Sequence, residues 1–432
     1  MFSSTSGVVR RSPVLLLCLI LAACSSEPAT APSDAIVAAK GGRNAPPPPP
    51  PNATVQLGQL LFEDRNLSRT GNQSCQSCHE AGFGFAGSAT QPTIDHTFFA
   101  GDDLERFGSR KPPSAAYASF SPVFHRDPLE GEWRGGNFWD GRATGALLGS
   151  PLADQALGPF LSSVEQALPA AACVVWKVQQ SGYAPLFQQV YPTIALADIV
   201  FPADIATQCL SLTTISFKMS TNTRNQVQES FYNVARAIAA YESSPLVNKF
   251  SSRFDANALS ATATAGKALF DGKAGCTFCH SSDTGPETFT DHSYYNIGVP
   301  RNPLNPSGPD WVDPGLGGSA ASNFDPAVLG AFKTPTLRNV ALGSGRTYMH
   351  NGSLKTLKQV VHFYNTRDSR RCRPGVTGQP LPTSFRSKGC WPVPDHLATL
   401  VAGDQMGNLL LTDTEENQLV VYLQELNDGF IR

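Results

Sequence analysis

The chain lacks an excess of charge of either sign. It has 33 lysines and arginines against 35 aspartates and glutamates, for a formal net charge of −2 at pH 7. Charge therefore gives no reason to expect a nucleic-acid partner, and we expect none. Strand-like runs are also few, whereas 37 glycines and 34 prolines require many turns. This composition argues against a sheet-dominated fold and favours helices joined by irregular segments.

The apolar run near the N-terminus is too short to span a membrane. Arg10 and Arg11 precede it, and it ends in Leu21-Ala22-Ala23-Cys24, which predicts an export signal over residues 1–24. The pattern resembles a bacterial lipoprotein signal, in which Cys24 is lipidated and becomes the first mature residue. Ser25 after that cysteine favours the outer membrane, so we expect a periplasmic, lipid-anchored protein. An ordinary cleaved signal is the alternative.

Residues 25–54 are predicted to form a linker. The stretch is small and polar and contains six consecutive prolines at 46–51, a composition that forms an extended rod and no core. Beside a lipid anchor it reads as a tether, although proline-rich segments also serve as recognition motifs.

Two segments carry the pattern Cys-x-x-Cys-His, at Cys75, Cys78, His79 and at Cys276, Cys279, His280. Random placement would give this pattern ~0.004 times in such a chain. It is the attachment site of a c-type haem: the thiols add to the haem vinyl groups and the imidazole binds the iron. A structural zinc site or a redox pair would need further ligands or a thioredoxin-like setting, and neither is visible. We therefore expect two covalently bound haem c groups.

An internal repeat accompanies the two motifs. Residues 58–62 (GQLLF) precede the first motif and residues 266–270 (GKALF) precede the second, so each half enters its haem site by an apolar-faced helix. This predicts a mainly α fold of two cytochrome c-like domains, each with one covalent c-type haem, at 55–245 and 246–432. Apolar spacing predicts a helix ending near 243–245, and two capping boxes predict helix starts at Thr356 and Thr412. Apolar residues that support these helices are Val227, Phe231, Val234, Ile238 and Tyr241; Leu357, Val360, Val361 and Tyr364; Leu419, Val420, Leu423 and Leu426.

Four cysteines remain outside the signal and the haem motifs: Cys173, Cys209, Cys372 and Cys390. An even number fits an oxidising compartment. Their positions favour the pairs Cys173–Cys209 and Cys372–Cys390, each closing an irregular insertion. Three pairings are formally open, and free buried thiols are the other alternative.

Methionine, a common second ligand of electron-carrying haems, is scarce. After the initiator only Met219, Met349 and Met406 remain. A haem that only moves electrons has both axial positions filled, whereas peroxide chemistry needs one open position beside an acid/base group. We therefore expect a ligand other than methionine at one site.

Several longer motifs resemble the bacterial dihaem cytochrome c peroxidase and MauG superfamily. The likeness covers about residues 55–430, with both haem motifs in the matching halves. The segments that carry it are 136–142 (GNFWDGR), 154–159 (DQALGP), 164–165 (VE), 334–340 (TPTLRNV) and 348–352 (YMHNG).

This resemblance implies that the N-terminal haem is the peroxide site, with Gln155, Pro159 and Glu165 around it. A carboxylate over an open iron takes a proton from one peroxide oxygen and returns it to the other, which promotes heterolytic O–O cleavage, and burial would raise its pKa. Without the family spacing, Glu165 would read as a surface or capping residue. The resemblance places Trp139 between the haems as an electron route; a core tryptophan is the alternative.

The second haem distinguishes branches of the family. MauG-type members have a tyrosine where ordinary dihaem peroxidases have a ligand methionine, and this chain has Tyr364 there. Tyrosinate is a hard anionic donor that favours high-valent iron. Met349, His362 and Met406 are competing ligands, and an apolar-face tyrosine is also common in a core.

Two features depart from the family pattern. Lys111 stands where family members have an asparagine of the interhaem calcium site, so we expect calcium to be absent or weakly bound. A loop histidine that caps the peroxide haem is not evident; His96 and His125 are the nearest candidates, and exposed loop positions are the simpler reading of both.

The resemblance thus implies a haem peroxidase that uses hydrogen peroxide to oxidise a donor, with a residue of a partner protein as the leading expectation. The first alternative is an ordinary cytochrome c peroxidase that takes electrons from a small redox protein. A purely electron-transferring dihaem protein and a dioxygen-using relative that cleaves an organic substrate are the others.

Overall fold

Helices dominate the described part of the chain, which comprises residues 52–282, 285–376, 378–384, 386–401 and 406–431 of a computed structural model. The predicted export signal, Cys24 and nearly all of the proline-rich linker lie outside these residues. Within them, no helix is both long enough and apolar enough to cross a membrane. The α-helices described are α1 Ala53–Glu63, α2 Pro151–Leu161, α3 Ala171–Gln179, α4 Ala184–Val190, α5 Ile205–Gln208, α6 Thr221–Glu242, α7 Ala261–Asp271, α8 Leu357–Thr366 and α9 Asp413–Gln424.

Strands are as scarce as the composition predicts. The described residues contain three antiparallel pairs of two-residue strands. They are β1 Thr93–Ile94 with β2 Phe98–Phe99, β3 His125–Arg126 with β4 Trp133–Arg134, and β5 Tyr294–Tyr295 with β6 Phe332–Lys333. Between the helices and strands, the described chain is mostly turn, short 3₁₀ and irregular structure. The mainly α prediction is confirmed.

The sequence repeat corresponds to a repeated helix crossing. Helix α1 packs on α6, and α7 packs on α9. Each crossing is made at a glycine: a Cβ on Gly58 would lie 1.9 Å from the carbonyl oxygen of Ala237, and one on Gly266 would lie 2.1 Å from that of Gln418. Only glycine allows backbones to approach this closely.

One turn further along each helix pair, two aromatic side chains pack against each other across the crossing. The rings of Phe62 and Tyr241 are 5.3 Å apart between centroids, and those of Phe270 and Tyr422 are also 5.3 Å apart. All four side chains are buried. The two halves therefore repeat the same helix-pair geometry ahead of their haem motifs.

The buried apolar residues form two large clusters that follow the two halves. One draws its buried members from Leu57 to Val247 and the other from Ala263 to Leu426. Residues 49–432 nevertheless form one compact unit. Hydrogen bonds join the halves, including one of 2.6 Å from the Tyr117 hydroxyl to Asp428 Oδ2. The boundary at 245/246 stays a prediction.

Helix caps largely follow the sequence. Ser220 and Ser260 cap α6 and α7, and the predicted capping box of Thr412 and Glu415 is present at α9. The box predicted at Thr356 is only half formed. Thr356 accepts from the Gln359 backbone N–H, but the Gln359 side chain accepts from Lys355 instead of Thr356. The Gln359 side chain bonds the backbone N–H one residue before the cap, so this part of the prediction was wrong.

The four described cysteines outside the haem motifs form disulfides in the pairing that the sequence favoured. Cys173 is joined to Cys209 and Cys372 to Cys390, with Sγ–Sγ distances of 2.03 and 1.86 Å.

Helix α1 begins at Ala53 with Asn52 as its cap. It therefore includes residues 53 and 54, which the sequence assigned to the linker.

Candidate active site

Each Cys-x-x-Cys-His motif forms a single 3₁₀ turn, at Cys75–Ser77 and at Cys276–Phe278. The turn is closed by the histidine, whose backbone N–H donates to the carbonyl oxygen of the first cysteine, at 3.0 Å for His79 and 2.9 Å for His280. This places two thiols and one imidazole around one short loop. None of these four cysteines forms a disulfide, in contrast to the other four described cysteines.

A backbone carbonyl orients each motif histidine. His79 Nδ1 lies 2.7 Å from the Phe85 oxygen, and His280 Nδ1 lies 3.0 Å from the Phe289 oxygen. A carbonyl oxygen only accepts, so Nδ1 carries the proton and Nε2 keeps its lone pair for a metal. Burial lowers the pKa of both rings, which keeps them neutral. Both histidines are thus prepared as axial ligands.

The first motif lies in a cavity of about 480 Å³, here called the N-terminal cavity. Its wall also contains the three residues that family resemblance assigned to the peroxide site, Gln155, Pro159 and Glu165. Gln155 and Pro159 belong to α2, and the turn that follows this helix presents Glu165. The complete lining is Gln73, Ser74, Cys75, Cys78, His79, Ala115, Gln155, Ala156, Pro159, Glu165, Gln166, Ile238 and Glu242.

Backbone contacts fix Glu165 in place. Its N–H donates to the Ser162 carbonyl oxygen at 3.0 Å, and its own carbonyl accepts from Asp102 N at 2.7 Å. Burial raises the pKa of the carboxyl group, while a hydrogen bond from Ser162 and the charge of Arg142 lower it. Burial prevails, so the group is a proton acceptor of more than ordinary strength for a glutamate.

A second carboxyl group, that of Glu242, lines the same cavity. It is the last residue of α6, only 4% exposed, and its Oε2 has no hydrogen-bond partner among the described residues. Burial raises its pKa to about 8. Sequence reasoning missed Glu242, because an acidic residue at a helix end carries no local sign that tertiary packing will bury it.

A cavity of about 660 Å³, the middle cavity, adjoins the N-terminal cavity and shares Ala115, Gln155 and Glu242 with it. Trp139 lines this middle cavity, as does Lys333. The other residues of its wall are Pro113, Ser114, Ala116, Tyr117, Ala118, Asn137, Phe138, Leu152, Thr290, His292, Thr334, Pro335 and Thr336.

Trp139 also lines the cavity of the second motif. Its indole Nε1 donates to the Lys111 carbonyl oxygen at 2.7 Å, and its own carbonyl accepts from Lys333 N at 3.0 Å. The residue is therefore held through its indole and through its backbone, in a wall that the two cavities share. That Trp139 carries electrons between the haems stays a prediction.

The second motif opens into a cavity of about 1400 Å³, the C-terminal cavity. Tyr364 on α8 lines it together with His280, and so do Met349 and Met406. Within the described ranges the Tyr364 hydroxyl makes no hydrogen bond, and burial, followed by the charges of Cys279 and Cys276, raises its pKa. Three of the four candidate ligands are thus present in the cavity wall.

The fourth candidate, His362, is ruled out by its contacts. Its Nδ1 lies 2.7 Å from Glu416 Oε1 and its Nε2 lies 3.2 Å from Arg370 Nη1, so both ring nitrogens are engaged. The ring is fully buried and does not line the C-terminal cavity. His362 as a competing ligand was therefore wrong. Its partner Glu416 follows 54 residues later, so the local sequence could not reveal this contact.

Lys111, whose backbone carbonyl accepts from the Trp139 indole, has a buried side-chain amine. Its Nζ donates to the carbonyl oxygen of Ala86 at 2.7 Å, and the side chain is buried. Burial, followed by the charge of Arg346, lowers its pKa. His96 and His125, the nearest candidates for a loop histidine that caps the peroxide haem, are both exposed.

The fold and its cavities define the class of protein: a helix-rich chain built to hold two haems. In each half, two thiols and an imidazole whose Nδ1 is held by a backbone carbonyl line one cavity, and this donor set fits a c-type haem.

Comparison with known proteins identifies the family. Residues 52–264 match the family model described as di-haem cytochrome c peroxidase. The chain is 31% identical to methylamine utilization protein MauG of Paracoccus denitrificans over 397 residues, which cover 87% of this chain and 89% of that protein. It is 27% identical to cytochrome c551 peroxidase of Nitrosomonas europaea, covering 71% of each.

A solved structure shows the same architecture. The diheme peroxidase BthA of Burkholderia thailandensis superposes with a TM-score of 0.66 at 26% identity, covering 88% of this chain and 87% of that one. The chain therefore belongs to the di-haem cytochrome c peroxidase family, and it is an oxidoreductase of the haem peroxidase type.

Proposed function

We propose that this protein is a MauG-type peroxidase that uses hydrogen peroxide to oxidise a residue of a partner protein. The observation that carries the proposal is the placement of Glu165 and Gln155 in the cavity wall of His79, while Tyr364 lines the cavity of His280. One site thus has acid/base groups for peroxide, and the other has an oxygen donor suited to oxidised iron.

Cys75, Cys78 and His79 would hold one haem c, and Cys276, Cys279 and His280 the other, with Tyr364 as the second ligand of the latter. A haem held in each cavity supplies redox-active iron that exchanges electrons with hydrogen peroxide and with the donor. The protein's own contribution is to orient the peroxide and to move protons.

Glu165 acts as the acid/base group. Its ionised carboxylate takes a proton from one oxygen of hydrogen peroxide and delivers it to the other, which makes water the leaving group. The Gln155 amide shares the cavity wall and orients the peroxide by hydrogen bonding. Pro159 lies on the same face of α2 one turn later, and because it has no N–H it leaves the Gln155 carbonyl oxygen without its usual helical donor.

Trp139 connects the two sites. It lines the middle and the C-terminal cavities, and its fixed orientation suits an aromatic side chain that carries charge between them. With this route, the partner residue need not enter either cavity. The similarity to MauG of Paracoccus denitrificans supports a protein as the molecule oxidised.

An ordinary cytochrome c peroxidase is the second candidate. Met349 and Met406 line the same cavity as Tyr364, so a methionine ligand is sterically available. The relative from Nitrosomonas europaea is a cytochrome c551 peroxidase. In this case a small redox protein would supply the electrons.

Electron paramagnetic resonance of the ferric protein separates the two candidates. One high-spin and one low-spin signal, both lost after one equivalent of peroxide without prior reduction, are expected for the MauG type. Two low-spin signals that ignore peroxide until one haem is reduced would overturn the proposal in favour of the second candidate. Rapid steady turnover with reduced cytochrome c would do the same.

We also propose export to the periplasm with lipidation at Cys24, and function without calcium. The support is the N-terminal sequence pattern and the Lys111 ammonium at the carbonyl of Ala86. Labelling of cells with a radioactive fatty acid should mark the wild-type protein and not Cys24→Ser. Label retained in the variant would overturn lipidation at this residue.

A further inference from the structure

Glu242 is a buried acid with no role in the function proposed above. Its side chain is at the end of α6, and one carboxylate oxygen lacks a hydrogen-bond partner within the described residues. A buried carboxyl group without a partner costs stability, so its presence in a cavity wall calls for a chemical explanation.

Its location is specific. The N-terminal and middle cavities share three lining residues, Ala115, Gln155 and Glu242. Alanine has no polar side-chain atom, and an amide does not gain or lose a proton near neutral pH. Glu242 is therefore the shared residue that can hold a proton and release it.

The peroxide reaction requires such a group. Reduction of one hydrogen peroxide to two waters consumes two electrons and two protons. Glu165 transfers a proton from one peroxide oxygen to the other and supplies none in net terms. The electrons come from the oxidised donor, and the two protons have to reach the part of the cavity wall where Gln155 and Glu165 lie.

We propose that Glu242 is the proton donor of the N-terminal cavity, a role that rests on the proposed peroxidase function. Its carboxyl O–H releases a proton toward the cavity that holds Gln155 and Glu165. The carboxylate then takes up a proton from the side of the middle cavity, and the cycle repeats for the second proton.

The surrounding charges are compatible with this role. In the N-terminal cavity Glu242 faces Cys75, Cys78, His79 and Glu165, and in the middle cavity it faces Tyr117, His292 and Lys333. The thiols are consumed by haem attachment. Burial raises the pKa of Glu242 to about 8, so the group carries its proton at neutral pH.

The test compares haem-loaded wild type with Glu242→Gln, Glu242→Asp and a control, Glu229→Gln. Glu229 is on the same helix, half exposed and paired with Arg236 at 2.6 Å. The protein oxidised by peroxide is returned to the ferric state with ferrocyanide, a one-electron donor, and the rate of this reduction, the stage that consumes the protons, is followed from neutral to alkaline pH. We expect Glu242→Gln to slow it by ~10²-fold and to remove an alkaline decline near pH 8, whereas Glu242→Asp keeps most of the rate.

A readout independent of activity is the infrared band of a protonated carboxyl group in the resting protein. It should disappear in wild type as the pH is raised through about 8, be missing in Glu242→Gln and persist in Glu229→Gln. Glu242→Gln with wild-type rate and alkaline decline, or an unchanged band, would overturn the role of Glu242 alone. A wild type inert to peroxide would overturn the proposed function, and this role with it.

Discussion

The indole Nε1 of Trp139 donates a 2.7 Å hydrogen bond to the backbone carbonyl oxygen of Lys111, whose own ammonium donates to the Ala86 carbonyl at 2.7 Å. One lysine therefore holds the Trp139 indole through its backbone carbonyl and the Ala86 carbonyl through its side chain. The two contacts are coupled through this residue, and both can be tested.

Trp139→Phe should interrupt electron transfer between the two haem sites. Phenylalanine keeps an aromatic ring but removes the N–H, so the Lys111 carbonyl loses its donor and the ring loses its fixed orientation. We expect the high-spin ferric signal to respond to peroxide as in wild type while the low-spin signal persists. Trp176→Phe, a change on α3 in the N-terminal core, is the matched control. Loss of both signals in Trp139→Phe would contradict a bridging role.

Removal of calcium should have no effect. The Lys111 ammonium already donates to the Ala86 carbonyl, so we expect a strong calcium chelator to leave the thermal midpoint and the ferric spectra unchanged. Lys111→Met should lower the free energy of unfolding by ~1–3 kcal/mol, because that carbonyl loses its buried donor. Stoichiometric calcium in purified protein, measured by elemental analysis, would show this expectation to be wrong.

Because of Glu165, the rate of the peroxide reaction should have an acid limb, that is, it should fall at low pH. The carboxylate accepts a proton only when ionised, so the rate falls as the pH falls through its pKa, which burial raises above the usual 4.5. Glu165→Gln should slow the reaction by ~10²–10⁴-fold and remove the limb. Ser162→Ala supplies a finer test. It removes a hydrogen bond that lowers this pKa, so the limb should move to higher pH, and an unmoved limb would count against Glu165.

Tyr364→Phe should change the low-spin ferric signal. The phenyl ring offers no oxygen donor, whereas the thermal midpoint should change little, since the hydroxyl makes no hydrogen bond among the described residues. Met406→Leu, on the wall of the same cavity, should leave the signal as in wild type. The opposite result, with the signal altered only in Met406→Leu or Met349→Leu, would identify a methionine ligand and an ordinary peroxidase.

Local sequence was sufficient where the chemistry is local. The haem motifs, the helix that ends at Glu242 and the capping box at Thr412 depend on residues within a few positions of one another. The family spacing then placed Gln155 and Glu165 on the wall that the structure gives them.

Contacts between residues far apart in the sequence determine the surroundings of the side chains whose roles the sequence did not reveal. His362 looked available as a ligand, but Glu416 and Arg370 engage both its nitrogens. Glu242 was not singled out by any sequence pattern, but its side chain lines two cavities. In both cases burial arises from the packing of elements far apart in the chain, which no local pattern records.

The repeated helix crossing gives the last prediction. A Cβ on Gly58 or Gly266 would lie about 2 Å from a backbone oxygen of the facing helix, so the helices would have to separate. We expect Gly58→Ala and Gly266→Ala each to lower the free energy of unfolding by ~1–3 kcal/mol, even though alanine favours a helix by ~1 kcal/mol. Gly82→Ala, which has open space around it, is the control.

Hydrogen exchange on the same variants tests the predicted boundary at 245/246. If each crossing stabilises its own domain, Gly58→Ala should weaken protection mainly in α1 and α6, and Gly266→Ala mainly in α7 and α9. Equal loss in both halves from either variant would mean that residues 49–432, which form one compact unit, also unfold as one. The two haem motifs would then depend on a single cooperative structure, and the boundary would describe the repeat without describing the unit of stability.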